Sequence, residues 1–545
     1  MSLYKRSNYF FTVLVCLLLG NSSFSQTRFE KMVNSIAVYN SHHLEEKVYL
    51  HTDRSYYLCG DIIWFKAYLE NAVSNHPSSV SKVLYVELLN SSHDPVLQAK
   101  VKVSSGSGSG SFALPLSFPS GNYELRAYTN WMKNDSAGHF FRKMITIINT
   151  TKNLDQSLVK ANPKYEAQFF PEGGNLVNGL KSLVAFKVND NQGMGVNANG
   201  VIVDQSNDTI ANFQTAHFGM GRFYLTPEAG KNYSAIVSVN DNVTLNIPLP
   251  NAYNQGMVMH LADQEEAVRI EVNSSGSTSS PVYLIASTNK LVDYSRALNL
   301  NNGNAVFTIN KSDLTSGVSR ITLFDENRKP VCERLYFKMP EDRLNIVAKT
   351  DKSNYSKRDA VSVDLSTTAG SGNFLPGNLS ASVYKLDNLQ QADDENIFTY
   401  LWLSSDVKGY VEDPEYYFKN NSAESNEALD NLLLTQGWRS FDWNEPSLQD
   451  PSFSYAPENR GHIIMGKVTN EMTGQPASNV LVYLSVPGRR VQLYGCKSDA
   501  EGNVHFDMKD FYGANQIVLQ TNTTTDSTYR LQIFTPFSQS FSNEA

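Results

Sequence analysis

The stretch Glu46-Lys47-Val48-Tyr49-Leu50-His51-Thr52-Asp53-Arg54-Ser55-Tyr56-Tyr57-Leu58-Cys59-Gly60-Asp61-Ile62-Ile63-Trp64-Phe65-Lys66-Ala67-Tyr68-Leu69 decides the fold. Val48–Leu50 reads as a strand and Asp53–Tyr56 as a turn. Ile62–Leu69, rich in aromatic and β-branched residues, reads as a long strand. Further runs follow at Val83–Leu89, Val96–Val103, Phe112–Leu116, Tyr123–Thr129 and Phe140–Ile148, bounded by Gly, Ser or Asn. The alternating Ser and Gly of Ser104–Gly110 predict a hairpin tip. Short strands with regular turn signals predict one β-sandwich over 44–152.

Outward from that stretch the chain repeats the pattern. Phe169-Phe170-Pro171-Glu172-Gly173-Gly174 predicts a strand that stops where Pro removes a donor and glycines permit positive φ. It opens a second unit over 163–250, closed by His217–Phe223 and Pro227–Tyr233. A third unit is expected over 253–340. A fourth starts over 343–390, where Thr350-Asp351-Lys352-Ser353-Asn354-Tyr355 and Arg358-Asp359-Ala360-Val361 echo the first unit. Residues 391–447 break the β-pattern with helical spacing at Asn396–Leu403 and Glu427–Leu434, where Gly437 suits a helix C′ position. A last sandwich is expected over 461–535. The lead-in, 26–43, carries Phe29, Met32, Val33, Ile36 and Tyr39 at helical spacing and is expected on the first sandwich or as its tether.

At 545 residues the chain exceeds one core. It is 41% apolar and 18% charged, ordinary globular material. The formal net charge of −8 comes with mixed signs, which offers no basic stripe for nucleic acid. Lys5 and Arg6 precede the apolar run Phe10–Leu19, which is shorter than the ~20 residues a spanning helix needs. Ser23-Phe24-Ser25 then predicts cleavage near Ser25 and Gln26, with residues 1–25 as signal peptide. Cys16 lacks a lipoprotein setting. No later stretch is long and apolar enough for a membrane helix. The remaining cysteines, Cys59, Cys332 and Cys496, are scattered and odd in number, which predicts buried small residues and not a disulfide framework.

Lys47–Arg54, Tyr56 and Gly60–Tyr68, closed by Ser120-Gly121-Asn122-Tyr123, resemble the second macroglobulin domain of the alpha-2-macroglobulin superfamily. Tyr128-Thr129-Asn130-Trp131-Met132 and Leu432-Leu433-Leu434-Thr435-Gln436-Gly437-Trp438 resemble strings in large envelope proteins of Bacteroidota-type bacteria. Phe169–Gly174 with Gly219-Met220-Gly221-Arg222-Phe223 is similar to the next macroglobulin domain. Ile463–Thr469, Gly474-Gln475-Pro476 and Asp499-Ala500-Glu501-Gly502 resemble the carboxypeptidase regulatory-like domain. The resemblance implies an all-β chain of tandem immunoglobulin-like, macroglobulin-type sandwiches with a small helical insertion. It implies an exported, non-enzymatic interaction or assembly module at the periplasm, cell surface or outer membrane. Its protein partners would be an outer-membrane transporter or a protease. The alternatives are a protease trap and an accessory part of a TonB-dependent uptake system. The thioester Cys-Gly-Glu-Gln core is absent from the sequence, and 104–110 is the one candidate bait loop.

No catalytic, cofactor or metal residue is assigned. No Gly-x-Ser-x-Gly elbow or His-Glu-x-x-His occurs. His42, His43 and His51 lack carboxylates at ligand spacing. Gly219-Met220-Gly221 has no helix after it to cradle phosphate. Asp53, Arg54 and Asp61 predict an ion-paired turn. Trp64 and Trp131 are expected in the core. Ser136, Thr209 and Ser527 sit in Asp-Ser/Thr contexts on which O-glycans are attached, in loops.

Overall fold

The structure is a computed structural model that describes residues 29–38, 44–152, 164–239, 243–341, 343–386, 395–419, 422–437, 453–488, 491–512, 516–522 and 528–541. It is all-β, about 48% strand and 10% helix. Alternation of apolar residues puts one face of each strand inward, so each pair of sheets closes on its own core.

In the first unit Glu46–Thr52 pairs antiparallel with Ile62–Asn71, and Ser107–Ala113 adds to the far edge of the latter. The facing sheet runs Tyr56–Leu58, Phe141–Ile148, Gly121–Thr129, Val83–Leu89, Pro95–Lys102. Val48, Leu50, Ile63, Phe65 and Ala67 meet Leu84, Val86, Leu88 and Leu125 between the sheets, all buried. Two further units follow. The first stacks the sheet of Glu166–Pro171, Ser182–Asn189 and Met220–Leu225 against a four-stranded one. The second stacks Met257–Asp263, Ala267–Ser274 and Asn304–Asn310 against another. Two three-stranded sheets built around Ile463–Asn470 and Leu481–Val486 form the last.

Several expectations are corrected. The tip expected over Ser104–Gly110 is confined to the turn Ser104–Ser107, with Ser105 (φ +49°) and Gly106 (φ +69°) at its centre, and Ser107–Ala113 is a strand in register with Ile62–Tyr68. The alternation has a steric cause. A Cβ on Gly108 would lie 2.4 Å from the Lys102 carbonyl oxygen, and one on Gly110 2.6 Å from the Phe65 ring, so glycine fills each inward position and serine each outward one. Gly110→Ala is therefore expected to cost about 1–3 kcal/mol by overpacking. Ser109→Ala, on the outward face, should stay within about 0.5 kcal/mol. Urea titration of both variants checks the difference.

Trp64 is 57% exposed on the outer face of its strand, not in the core. Trp131 is buried, and its indole N–H donates to the Leu44 carbonyl. Cys332 is buried, whereas Cys59 and Cys496 are half-buried, and all three are free thiols. The lead-in helix, residues 29–38, packs on the third unit and not on the first: Phe29 stacks on Tyr283 with ring centroids 4.7 Å apart, beside Ile285 and Phe324.

The turn after Thr52 is built by Tyr57, not Tyr56, which faces solvent. The Tyr57 hydroxyl donates to Asp53 Oδ1 (2.7 Å) and accepts from the Arg54 N–H (3.0 Å). Further bonds of the turn run from the Trp64 N–H to Asp53 Oδ1 (2.9 Å) and from the Leu58 N–H to Asp61 Oδ2 (3.1 Å). Arg54 pairs with Asp61 at 3.2 Å and lies over the Tyr57 ring. The ion-paired turn is thus a structural device. Its hydrogen-bond frame recurs 298 positions later, from Asp53 to Asp351. Tyr355 donates to Asp351, the Lys352 N–H to Tyr355, the Ser362 N–H to Asp351 and the Ser356 N–H to Asp359. Gly60 (φ +92°) and Arg358 (φ +68°) occupy the same left-handed position. The fourth unit, expected as the start of a sandwich, is this hairpin alone among the described residues: Asn345–Thr350 paired with Val363–Thr368.

The helical insertion follows. Asn396 caps Ile397–Trp402 in a capping box with Thr399, and Ser422 caps Ala423–Thr435 with Ser425. Gly437 is required for closeness and not for positive φ. A Cβ there would lie 2.5 Å from the Leu433 carbonyl oxygen.

Candidate functional site

The helix Ala423–Thr435 docks where the second and third units meet, and a charged cleft of about 1040 Å³ opens beside it. Pro171 ends its strand, and Gly173 (φ +77°) and Gly174 (φ +102°) turn the chain, which points Glu172 into the joint. Arg334, on Pro330–Lys338, is buried and donates from Nε to Glu172 Oε1 at 3.1 Å and from a terminal nitrogen to Asp430 of the helix. The Leu261 N–H donates to Glu172 Oε1 (3.1 Å), and His260 Nδ1 lies 2.7 Å from Glu172 Oε2. Arg222, on Met220–Leu225, donates to Asp430 Oδ2 (2.7 Å) and pairs with Glu427 at 3.3 Å. One buried guanidinium thus ties three parts of the chain.

The charges nearly balance. Glu172, Asp430 and Glu427 face Arg334, Arg222 and a histidine whose pKa is raised, chiefly by its hydrogen bond to Glu172 and against partial desolvation. Burial pushes the neighbouring Cys332 thiol up to about 12, far from thiolate reactivity. All three nitrogens of Arg334 meet acceptors, on Glu172, Asp430 and the Leu335 carbonyl, so the arrangement holds units together. A group whose folded pKa is raised contributes its stabilisation fully below the unfolded value of about 6.5 and loses it as pH rises through the folded one. The joint is expected to loosen from about pH 6.5 upward, seen as faster amide exchange along Met257–Asp263, and His260→Gln should abolish that pH dependence.

Sequence reasoning missed this site. Glu172 was legible only as a turn residue, and the partners lie 88 to 162 positions away along the chain. Of the candidates singled out from the sequence, Ser136 is exposed and caps the turn Ala137–His139, accepting from the Gly138 N–H. Thr209 is exposed at the start of Thr209–Gln214. Ser527, Ser25, Gln26, His42 and His43 lie outside the described residues. His51 Nδ1 lies 2.6 Å from the Ser380 hydroxyl. Gly219 turns at φ +69°, where a Cβ would meet the Val188 carbonyl oxygen, and Gly221 lies against the Phe186 ring. Both glycines therefore serve packing. Glu45, Asp135 and His139 bring one potential ligand atom each within 4.8 Å of one another, and Glu45 is already engaged by Lys290. Among the described residues no helix is long and apolar enough to cross a membrane.

A second joint binds the first unit to the last. Arg126 and Glu87, both buried, pair through Nε at 3.0 Å, and Tyr128 donates to Glu87 at 2.8 Å. Arg126 also donates to the Ser538 (3.0 Å) and Ser540 (2.8 Å) carbonyls and lies over the Phe541 ring. Nearby, the Tyr85 hydroxyl donates to Glu458 at 2.9 Å.

No protein-family model and no curated sequence matches the chain. Among solved structures, Salmonella alpha-2-macroglobulin reacted with methylamine matches 90% of this chain and 39% of its own at 10% identity, with a TM-score of 0.17. Escherichia coli alpha-2-macroglobulin activated by porcine elastase matches 90% of this chain and 43% of its own at 11% identity, with a TM-score of 0.22. Dimeric latent PorU from Porphyromonas gingivalis matches 54% of this chain and 33% of its own at 14% identity, with a TM-score of 0.24. The chain thus spans less than half the length of the alpha-2-macroglobulins it is similar to, and the all-β assignment rests on its own sheets.

Proposed function

We propose that the chain is a non-enzymatic, exported interaction or assembly module of the cell envelope, working at the periplasmic or outer face of the outer membrane. One observation carries this reading. The polar groups at both joints are spent on each other, which fixes sandwiches side by side, while apolar side chains such as Trp64, Tyr224, Phe374 and Leu493 stand exposed on sheet faces and loops. Exposed aromatic and aliphatic groups on a fixed scaffold are material for protein recognition. The trap alternative is less well supported, since most of its candidate bait loop, 104–110, belongs to the paired strand Ser107–Ala113. The test is crosslinking in intact cells, with a tag placed after Ser25 and envelope fractions separated. Recovery with an outer-membrane transporter or secretion component supports the module and would bring in the uptake-system role. Recovery of a sterically held, cleaving protease would reverse it.

A further inference from the structure

The hairpin Asn345–Thr350 with Val363–Thr368 is half of a structure that the same chain shows complete. Lys47 pairs with Glu70 and Thr52 with Phe65; 298 positions on, Asn345 pairs with Thr368 and Thr350 with Val363. In the first unit the inward residues Val48, Leu50, Ile63, Phe65 and Ala67 are at most 4% exposed. Their counterparts are Ile346, Ala348, Val361, Val363 and Leu365. All five are exposed, the four larger ones 49–55%. An apolar patch of this kind on a paired hairpin marks a place of association.

The first unit also shows what is missing. There the far edge of Ile62–Tyr68 carries the strand Ser107–Ala113, with Ile62 opposite Ala113 and Tyr68 opposite Ser107. Backbone groups alternate in direction along an antiparallel strand. Thr367 accepts from the Leu375 N–H on the outer side, as Leu69 does from the Ser78 N–H. Val361, Val363 and Leu365 therefore turn their N–H and C=O groups towards the edge that Ser107–Ala113 fills in the first unit. Charge adds a direction. Asp351 and Asp359 are used within the turn and Asp364 stands opposite Lys349, whereas Lys357 and Arg358, in the turn, make no ion pair among the described residues. A strand placed like Ser107–Ala113 would bring its C-terminal end to Lys357 and Arg358, as the Gly60 N–H meets the Leu114 carbonyl in the first unit.

We propose that the edge Val361–Leu365 accepts an extended strand from a partner polypeptide, antiparallel, apolar at alternate positions and carrying carboxylates at its C-terminal end. This rests on the reading of the chain as an interaction module and names one of its surfaces. Main-chain bonds supply the attachment and alternate side chains the selectivity, as in strand addition generally.

The experiment uses the full chain and two synthetic nonapeptides alternating valine and serine, one ending in two glutamates and one in two lysines. The glutamate peptide should bind about tenfold more tightly by fluorescence anisotropy, a difference of about 1.4 kcal/mol. It should slow amide exchange at Val363 and Leu365. Val363→Lys, a substitution at an exposed position, should abolish both effects. Lys357→Glu with Arg358→Glu should invert the preference between the peptides. No protection of these amides by either peptide overturns the proposal. So does a dimer of the chain alone in sedimentation that Val363→Lys dissolves, because the occupant would then be a second copy. Unchanged partner recovery from cells by the Val363→Lys chain would dismiss this edge and leave the module reading standing.

Discussion

Arg334→Ala is expected to destabilise the chain by about 3–5 kcal/mol, the range for breaking a buried ion pair from one side. The reason is the partner left behind. Glu172 is 2% exposed, and without the guanidinium its charge is held only by His260 and the Leu261 N–H. Asp430 retains Arg222 and lies a third exposed, so Asp430→Asn should cost only about 1 kcal/mol, as partly exposed pairs do. Replacing Glu172 and Arg334 together by leucine and methionine should recover most of the loss, since a well-packed apolar pair substitutes for a buried ionic one at little cost. Urea unfolding measures the three values. Amide exchange along Ala423–Thr435 should accelerate only in the variants that lose Arg334. If Arg334→Ala unfolds like the parent chain, the three-way joint is not what holds the helix.

Arg126→Ala should match it, at about 3–5 kcal/mol by the same mechanism. Here the stranded charge is Glu87, 1% exposed, with Gln98 and Tyr128 as remaining donors. The loss has a second part. The Ser538 and Ser540 carbonyls give up their charged donor, while the Ser538 N–H keeps the Tyr128 hydroxyl at 2.7 Å. The double variant Glu87→Leu with Arg126→Leu separates the parts: the sandwich should regain stability, but the segment 536–541 should stay loose. Limited proteolysis reads that segment directly. Cleavage after Phe541 or Phe537 should rise in both variants and fall back in neither.

The sandwiches were legible because alternation is local. Val48, Leu50, Ile63 and Phe65 announce an inward face within twenty residues, and the turn between them needs only Asp53, Tyr57 and Asp61. Local reading failed where the deciding atom came from elsewhere. Ser107–Ala113 looks like a tip until Phe65 and Lys102 press on its glycines. Trp64 carries core chemistry but sits at an outward position, and the Tyr56–Tyr57 pair differs only in which ring the strand turns inward. Both joints bring polar groups together across long separations, up to 414 residues for Arg126 with the Ser540 carbonyl. No periodicity encodes such a meeting. Glu87 and Arg126, each inside an apolar strand, were the signal available, because a charge at an inward strand position must have a partner.

That separation also sets a clock. At roughly 5–20 residues per second of synthesis, the 414 positions between Arg126 and Ser540 take on the order of 20–80 s to appear. Throughout that interval the first unit can close its own sheets, but the outer side of its Arg126 has no final cover. The first unit is therefore covered only by residues made 414 positions later, and a chain interrupted anywhere before Pro536 carries an open seam on that unit.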